Sequence, residues 1–169
     1  SLRTLLLNTE HSVLEVKPVF AEAIPAPKGK TNYPEPFSPM VEGRFKSKLG
    51  DFFGLTNFGV NLTTLAPGAV SALLHKHSRQ DEMIYIVEGQ PTLHLGVEKF
   101  HMVPGQCVGF KAGSGKAHQL VNATAEDVVY IEVGGRNPDD AIEYPNDDLY
   151  AVLDKNGATI FTHKDGSPY

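Results

Sequence analysis

From Phe58 to Val133 the chain consists of short apolar runs cut at regular intervals by glycine and proline. Apolar runs of about four to eight residues bounded by turn signals predict β-strands rather than helices. The pattern predicts strands over 59–65, 70–77, 82–87, 92–95, 98–102, 107–110, 119–121 and 128–133. Ala66-Pro67-Gly68, Glu88-Gly89-Gln90-Pro91 and Pro104-Gly105 supply the stops. Two further runs, 150–153 and 159–162, flank Asn156-Gly157, a pair that favours a hairpin turn. Residues 138–149 predict a helical turn, and long helical periodicity is absent elsewhere. Many short strands at even spacing imply an all-β sandwich or barrel.

The N-terminal texture differs. Half of the twelve prolines fall between Pro18 and Pro39. Proline fixes φ and removes a ladder donor, so this stretch predicts an extended arm, with a short strand at 21–26. Phe20, Ile24, Tyr33 and Phe37 make the arm too apolar to remain a solvated tail. It packs either on its own barrel or on a second subunit. An apolar strip of this kind marks an interface, so a homodimer is expected. The layout is then an arm with strands over 1–50, a barrel core over 51–135 and a C-terminal loop and hairpin over 136–169.

Composition narrows the function classes. A length of 169 residues suits one domain, and a net charge of −5 without a basic block speaks against nucleic acid. No run approaches the ~20 apolar residues of a membrane span. The Leu5-Leu6-Leu7 run is too short for a signal peptide and no cleavage site follows, so no leader is expected. The single cysteine, Cys107, excludes an intrachain disulfide and points to a reducing cytoplasm. It reads as a small buried residue on a strand.

The chemistry concentrates between Gly68 and Gly89. His75 and His77 are two apart, so on a strand they share a face while Lys76 points away. A turn over Ser78–Asp81 returns the chain antiparallel and brings Glu82 alongside them. Two imidazoles and a carboxylate on one face make most of a metal site. His118, after Gly113-Ser114-Gly115, is the candidate for the fourth ligand, and Leu120 and Asn122 share its face. Ile84 and Ile86 share the face of Glu82 and predict an apolar pocket, with Tyr85 pointing outward. His94 is a candidate pocket residue or a closing ligand, and His94 and Gln119 are candidate proton carriers. His11 and His101 read as surface or structural residues. Gly113-Ser114-Gly115-Lys116 lacks the spacing of a phosphate loop, and Ala117 stands where Ser or Thr is required. Asp147-Asp148 reads as a solvated loop.

The stretch from Gly68 to Gly89 has the form G-x6-H-x-H-x4-E-x6-G and resembles the first motif of the cupin superfamily. Gly105, Gly113, His118 and Asn122 resemble the second motif, with Lys111 in place of its proline and two extra residues before the histidine. The tail also resembles a group of single-domain bacterial cupins, some labelled sugar-phosphate isomerase-like. It carries Tyr144-Pro145-Asn146-Asp147-Asp148-Leu149 and His163-Lys164-Asp165-Gly166-Ser167-Pro168-Tyr169. The resemblance implies a double-stranded β-helix, or jelly-roll, barrel. It implies one divalent transition metal per chain, held by His75, His77, Glu82 and His118. Mn, Fe, Co, Ni, Cu and Zn all suit that donor set. Such an ion suits isomerase, lyase or dioxygenase chemistry on an oxygen-rich small molecule. Two alternatives stand beside the enzyme: a non-catalytic small-molecule binder, and a structural barrel. Small hydroxy or keto acids are the expected ligands of the metal-loaded form.

Overall fold

The computed structural model describes residues 17–28, 31–154 and 158–169. His11, the leucine run and the Asn156-Gly157 turn lie outside them. Side chains alternate across a strand, and in this chain the strands pair so that their buried faces meet. Five strands form one sheet in the order β1-β2-β9-β4-β7: Arg44–Lys48 (β1), Phe58–Leu65 (β2), Val128–Gly135 (β9), Glu82–Glu88 (β4) and Cys107–Phe110 (β7). All its pairings are antiparallel. The opposing layer has two parts. Thr159–Thr162 (β12), Leu149–Leu153 (β11), Ala141–Tyr144 (β10) and Lys76–His77 (β3) make one. Glu98–His101 (β6), Thr92–Leu95 (β5) and His118–Val121 (β8) make the other. Isolated antiparallel bridges, Val70↔Val121 and His75↔His118, tie the two parts together. This is the predicted all-β jelly-roll arrangement. A single turn of helix, Leu49–Phe52 (α1), follows β1, and no helix among the described residues is long and apolar enough to cross a membrane.

The core joins the two layers. Leu65, Ile84, Ile86, Phe110, Val128 and Tyr130 from the five-stranded sheet pack with Leu93 and Leu120 from the other. Along β4, Ile84 and Ile86 are buried while Met83 and Tyr85 are exposed, as the period of two requires. Asn122 is fully buried and its amide donates to the carbonyls of Leu65 and Glu126, both at 2.8 Å, which closes the turn before β9. Gly68 and Gly89, which frame the first motif, have φ of 81° and 79°. A Cβ at Gly89 would stand 2.7 Å from the Asp127 carbonyl oxygen, so the turn admits glycine alone.

Several expectations need correction. Residues 70–77 are not a continuous strand: only Lys76–His77 is laddered, and the segment before it is held by two bridges. Residues 21–26 hold a 3-10 turn, Ala21–Ala23, instead of a strand. Within residues 138–149 the turns are confined to 138–139 and 145–148, the latter closed where Asp147 N donates to the Tyr144 carbonyl, and 141–144 form strand β10, because pairing with β3 and β11 overrides local preference. Cys107 is exposed, since β7 is an edge strand and its residue 107 points outward beside Tyr85.

The arm folds on its own barrel. Ile24 is buried and its carbonyl accepts from the Ser47 hydroxyl at 2.8 Å. Phe37 packs with Leu73, Tyr144, Leu149 and Ala151, its ring edge-on to Tyr169. Tyr33 packs edge-on to Tyr144 and against Phe161. Ile24, Tyr33 and Phe37 are thus covered by the chain itself, whereas Phe20 stays 84% exposed. Phe37 is only 7% exposed, so Phe37→Ala is expected to cost about 3 kcal/mol of stability through lost transfer energy and a residual cavity. The urea midpoint measures it, and a change below about 1 kcal/mol shows that the arm lies outside the cooperative core.

Candidate metal centre

His75 and His118 face one another across a single bridge. The His118 N–H donates to the His75 carbonyl at 2.8 Å, and the His75 N–H donates back at 3.2 Å. Directly opposed residues project side chains to one face, and the two rings stand 4.5 Å apart. His77 lies two residues on, its ring 5.1 Å from that of His75. Glu82 reaches the same point from the opposing sheet, on the inward face of β4. Its Oε2 lies 3.5 Å from His75 Nε2, 3.4 Å from His77 Nε2 and 2.9 Å from His118 Nε2. The ligand atoms of His75, His77 and Glu82 all lie within 4.8 Å of one another, a group able to hold a metal ion. His118 is outside that mutual grouping but makes the closest approach to the shared oxygen.

The orientation of the rings suits a cation. His77 Nδ1 lies 2.6 Å from Asp140 Oδ2, and His75 Nδ1 lies 2.8 Å from the Leu73 carbonyl. Both acceptors require a proton on Nδ1, which leaves each Nε2 with its lone pair turned toward Glu82. His118 is held instead by stacking on Phe110, with centroids 3.6 Å apart and planes 2° apart. Glu82 Oε2 is buried and makes no regular hydrogen bond among the described residues. Atoms bound about 2.1 Å from a common ion lie roughly 3 to 3.5 Å apart. The donor set, its spacing and the orphaned oxygen therefore fit a divalent metal.

Burial works against ionisation of Glu82, but its contacts with His118 and His75 and the nearby histidine charges hold its carboxyl well below the usual range. Burial pushes the His118 imidazole down, helped by His75 and His77 and opposed by Glu82. Both shifts favour the forms that bind metal: carboxylate and neutral imidazole.

Asp140 escaped the sequence reading. It is 2% exposed, and besides His77 its Oδ1 accepts from Arg79 N at 2.7 Å, Gln80 N at 3.1 Å and the Ser78 hydroxyl at 3.2 Å. One carboxylate thus caps the turn between the ligands and orients one of them. The expected fourth element of the turn, Asp81, accepts from Ala112 N at 2.7 Å and ties down the loop that precedes His118.

His75, His77, Glu82 and His118 open into a cavity of about 570 Å³. Its walls correct the expectation of an apolar pocket. Ile84 and Leu93 do line it, but so do Tyr33, Arg44, Lys46, Asn61, Tyr130, Glu132 and Tyr144. Glu132 accepts from Asn61 Nδ2 at 2.7 Å and from the Tyr130 hydroxyl at 3.2 Å, and is paired with Lys46. Burial raises all three tyrosines, so each stays a neutral hydroxyl. His94 and Gln119 do not line the cavity. The Gln119 amide donates to the Ala72 carbonyl at 2.8 Å, and His94 is half-buried on β5, opposite Gln119. His163 sits at the far end of the chain, Nδ1 2.8 Å from Asp148 Oδ2 and stacked on Tyr169. The tail motif is thus a clasp for the C-terminus. His101 is exposed and its Nδ1 lies 3.2 Å from the Thr92 hydroxyl.

Comparison with known proteins agrees with this architecture. The family model described as Cupin domain matches residues 61–134. A sugar phosphate isomerase of the cupin superfamily from Silicibacter pomeroyi is 38% identical, with a TM-score of 0.84 over 90% of this chain and 96% of that one. A protein of Acidithiobacillus ferrooxidans, provisionally assigned as a sugar phosphate isomerase, is 28% identical, with a TM-score of 0.69 over 78% and 82%. A polyketide cyclase from Streptomyces resistomycificus shares the fold at 19% identity, with a TM-score of 0.58 over 71% and 79%. No curated protein matches the sequence.

Proposed function

This chain belongs to the cupin superfamily, and from that premise we propose that it is a metal-dependent enzyme of isomerase type acting on a polyhydroxylated small molecule. The observation that carries the reading is the convergence of three imidazole Nε2 atoms on one buried carboxylate oxygen at the floor of a polar cavity. His75, His77, Glu82 and His118 would hold one divalent transition metal. Bound there, such an ion polarises a carbonyl or hydroxyl oxygen of the ligand.

The remaining residues supply recognition and proton handling. Tyr33 and Tyr144 donate hydrogen bonds to sugar-like oxygens, while the Tyr130 hydroxyl is committed to Glu132; burial keeps all three protonated, so none serves as a base near neutrality. Two carboxylates line the cavity outside the metal group; Asp51 is held by Arg136 and Lys48, and Glu132, positioned by Asn61, Lys46 and Tyr130, is the one we assign to accept a proton from carbon or oxygen. The names of two similar structures support isomerase chemistry over the lyase and dioxygenase readings. The polar walls support a hydroxylated ligand.

Calorimetry with a neutral hydroxy ketone tests the metal's part. The metal-loaded protein is expected to bind it at least about tenfold more tightly than the chelated protein, since losing one charge-assisted contact is worth that much. Equal binding by the two forms ends the metal-dependent reading. Binding without turnover of any aldose or ketose, under conditions where metal is retained, favours the non-catalytic binder.

A further inference from the structure

Strand β1 presents Arg44, Lys46 and Lys48 to the cavity at alternate positions, the first two partly buried and Lys48 exposed. Inward positions between packed sheets are ordinarily apolar, and a cation there loses hydration unless something pairs with it. Lys46 is paired with Glu132. Lys48 lies 3.9 Å from Asp51, a carboxylate that Arg136 also holds. Arg44 has no carboxylate partner among the described residues. Its Nη1 donates to the Ser71 carbonyl at 2.5 Å, which brings the guanidinium to the opposite wall. Outside Glu82, four cationic side chains line the cavity against two carboxylates, Asp51 and Glu132.

We infer that Arg44 is the seat of an anion subsite, which takes the phosphate or carboxylate group of the same ligand whose hydroxyls reach His75, His77, Glu82 and His118. This rests on the reading that the cavity receives the substrate. A guanidinium offers five N–H donors in a planar fork, and the Ser71 carbonyl occupies one. The remainder match the paired oxygens of a carboxylate or phosphate. Sheet register separates this subsite from the metal group. Arg44 is aligned with Leu65 and, through it, with Val128 at one end of β9, whereas Glu82 is aligned with Gly134 near the other end. Tyr33 and Tyr144 line the same cavity, each within electrostatic reach of both the Arg44 cation and the Glu82 carboxylate. The ligand is accordingly elongated, anionic at one end and hydroxylated at the other.

The test titrates inorganic phosphate and, separately, acetate into the full chain by calorimetry, as purified and again after chelation. Arg44→Met and Arg44→Lys are run alongside, each checked by its thermal transition. At least one anion is expected to bind with and without metal, and about ten- to a hundredfold more weakly in Arg44→Met. Phosphate alone identifies a phosphate ester as the substrate class, and acetate alone a carboxylate. Arg44→Lys keeps the charge but loses the fork, so its affinity falls between the two. No binding of either anion overturns the inference. So does binding that vanishes on chelation, or undiminished binding in Arg44→Met. Should Arg44→Met fail to fold, unaltered affinity in Arg44→Lys overturns it equally. Because the chelated arm contains no metal, failure here leaves the metal reading intact, and failure of the metal reading leaves this one intact.

Discussion

Glu82→Gln and His75→Ala are each expected to empty the site: metal content falls from about one ion per chain to less than about a tenth of that. Both changes remove a donor from the point where three Nε2 atoms meet one carboxylate oxygen. The glutamine variant is the cleaner of the two. It keeps the volume of Glu82, so the pairing of β4 with β7 and β9 has no reason to shift. It removes the negative charge that offsets a divalent cation in a site screened from water, and that charge cannot be supplied by imidazole. Elemental analysis of tag-free protein, with circular dichroism as the folding control, measures the effect. Wild-type metal content in a folded Glu82→Gln protein would refute the ligand assignment. Protons compete for the same nitrogens, so metal affinity also falls on acidification. His118, whose pKa is lowered chiefly by burial, is protonated later than an ordinary imidazole.

The second large effect belongs to Asp140, and two variants divide it. Asp140→Ala leaves Arg79 N, Gln80 N, the Ser78 hydroxyl and His77 Nδ1 without their acceptor. The aspartate is 2% exposed, so water does not replace it, and a loss of about 2–4 kcal/mol is expected in denaturant unfolding. Asp140→Asn keeps an oxygen for the turn and turns an NH2 toward His77. The imidazole must then accept at Nδ1, which moves its proton to Nε2, the atom aimed at the metal. Stability should fall by only about 1 kcal/mol while metal affinity falls about 10- to 100-fold. An asparagine variant that binds metal like wild type would show that Asp140 serves the turn alone.

These residues also show where sequence reasoning reaches and where it stops. The grouping of His75, His77 and Glu82 was legible because their relations are local: the two histidines lie two apart, and one short turn returns the chain to Glu82. His118 needed the resemblance as well, since its bridge to His75 joins segments far apart in sequence. Asp140 had no local signature at all. It reaches His77 only because β10 pairs with β3, and that pairing was hidden by turn-forming residues read as a helical turn. The cavity walls were misjudged for a similar reason. The apolar expectation rested on Ile84 and Ile86 alone, whereas Arg44 and Lys46 reach the cavity from β1, whose pairing with β2 has no signature in the sequence. Strand positions such as Thr92–Leu95 and Cys107–Phe110 were plain from their runs and turns, but whether Cys107 faced in or out depended on β7 being an edge.

The placement of Glu82 on one sheet and the three histidines on the opposing layer has a mechanical consequence. With one cysteine, the chain cannot staple its two layers covalently. An ion held across the gap would do that work reversibly: it would cross-link the two layers as a disulfide does, and release them on leaving. Resistance to heat would then track the free metal concentration, rising with its logarithm once it exceeds the dissociation constant, so the barrel's durability would be set partly by its surroundings.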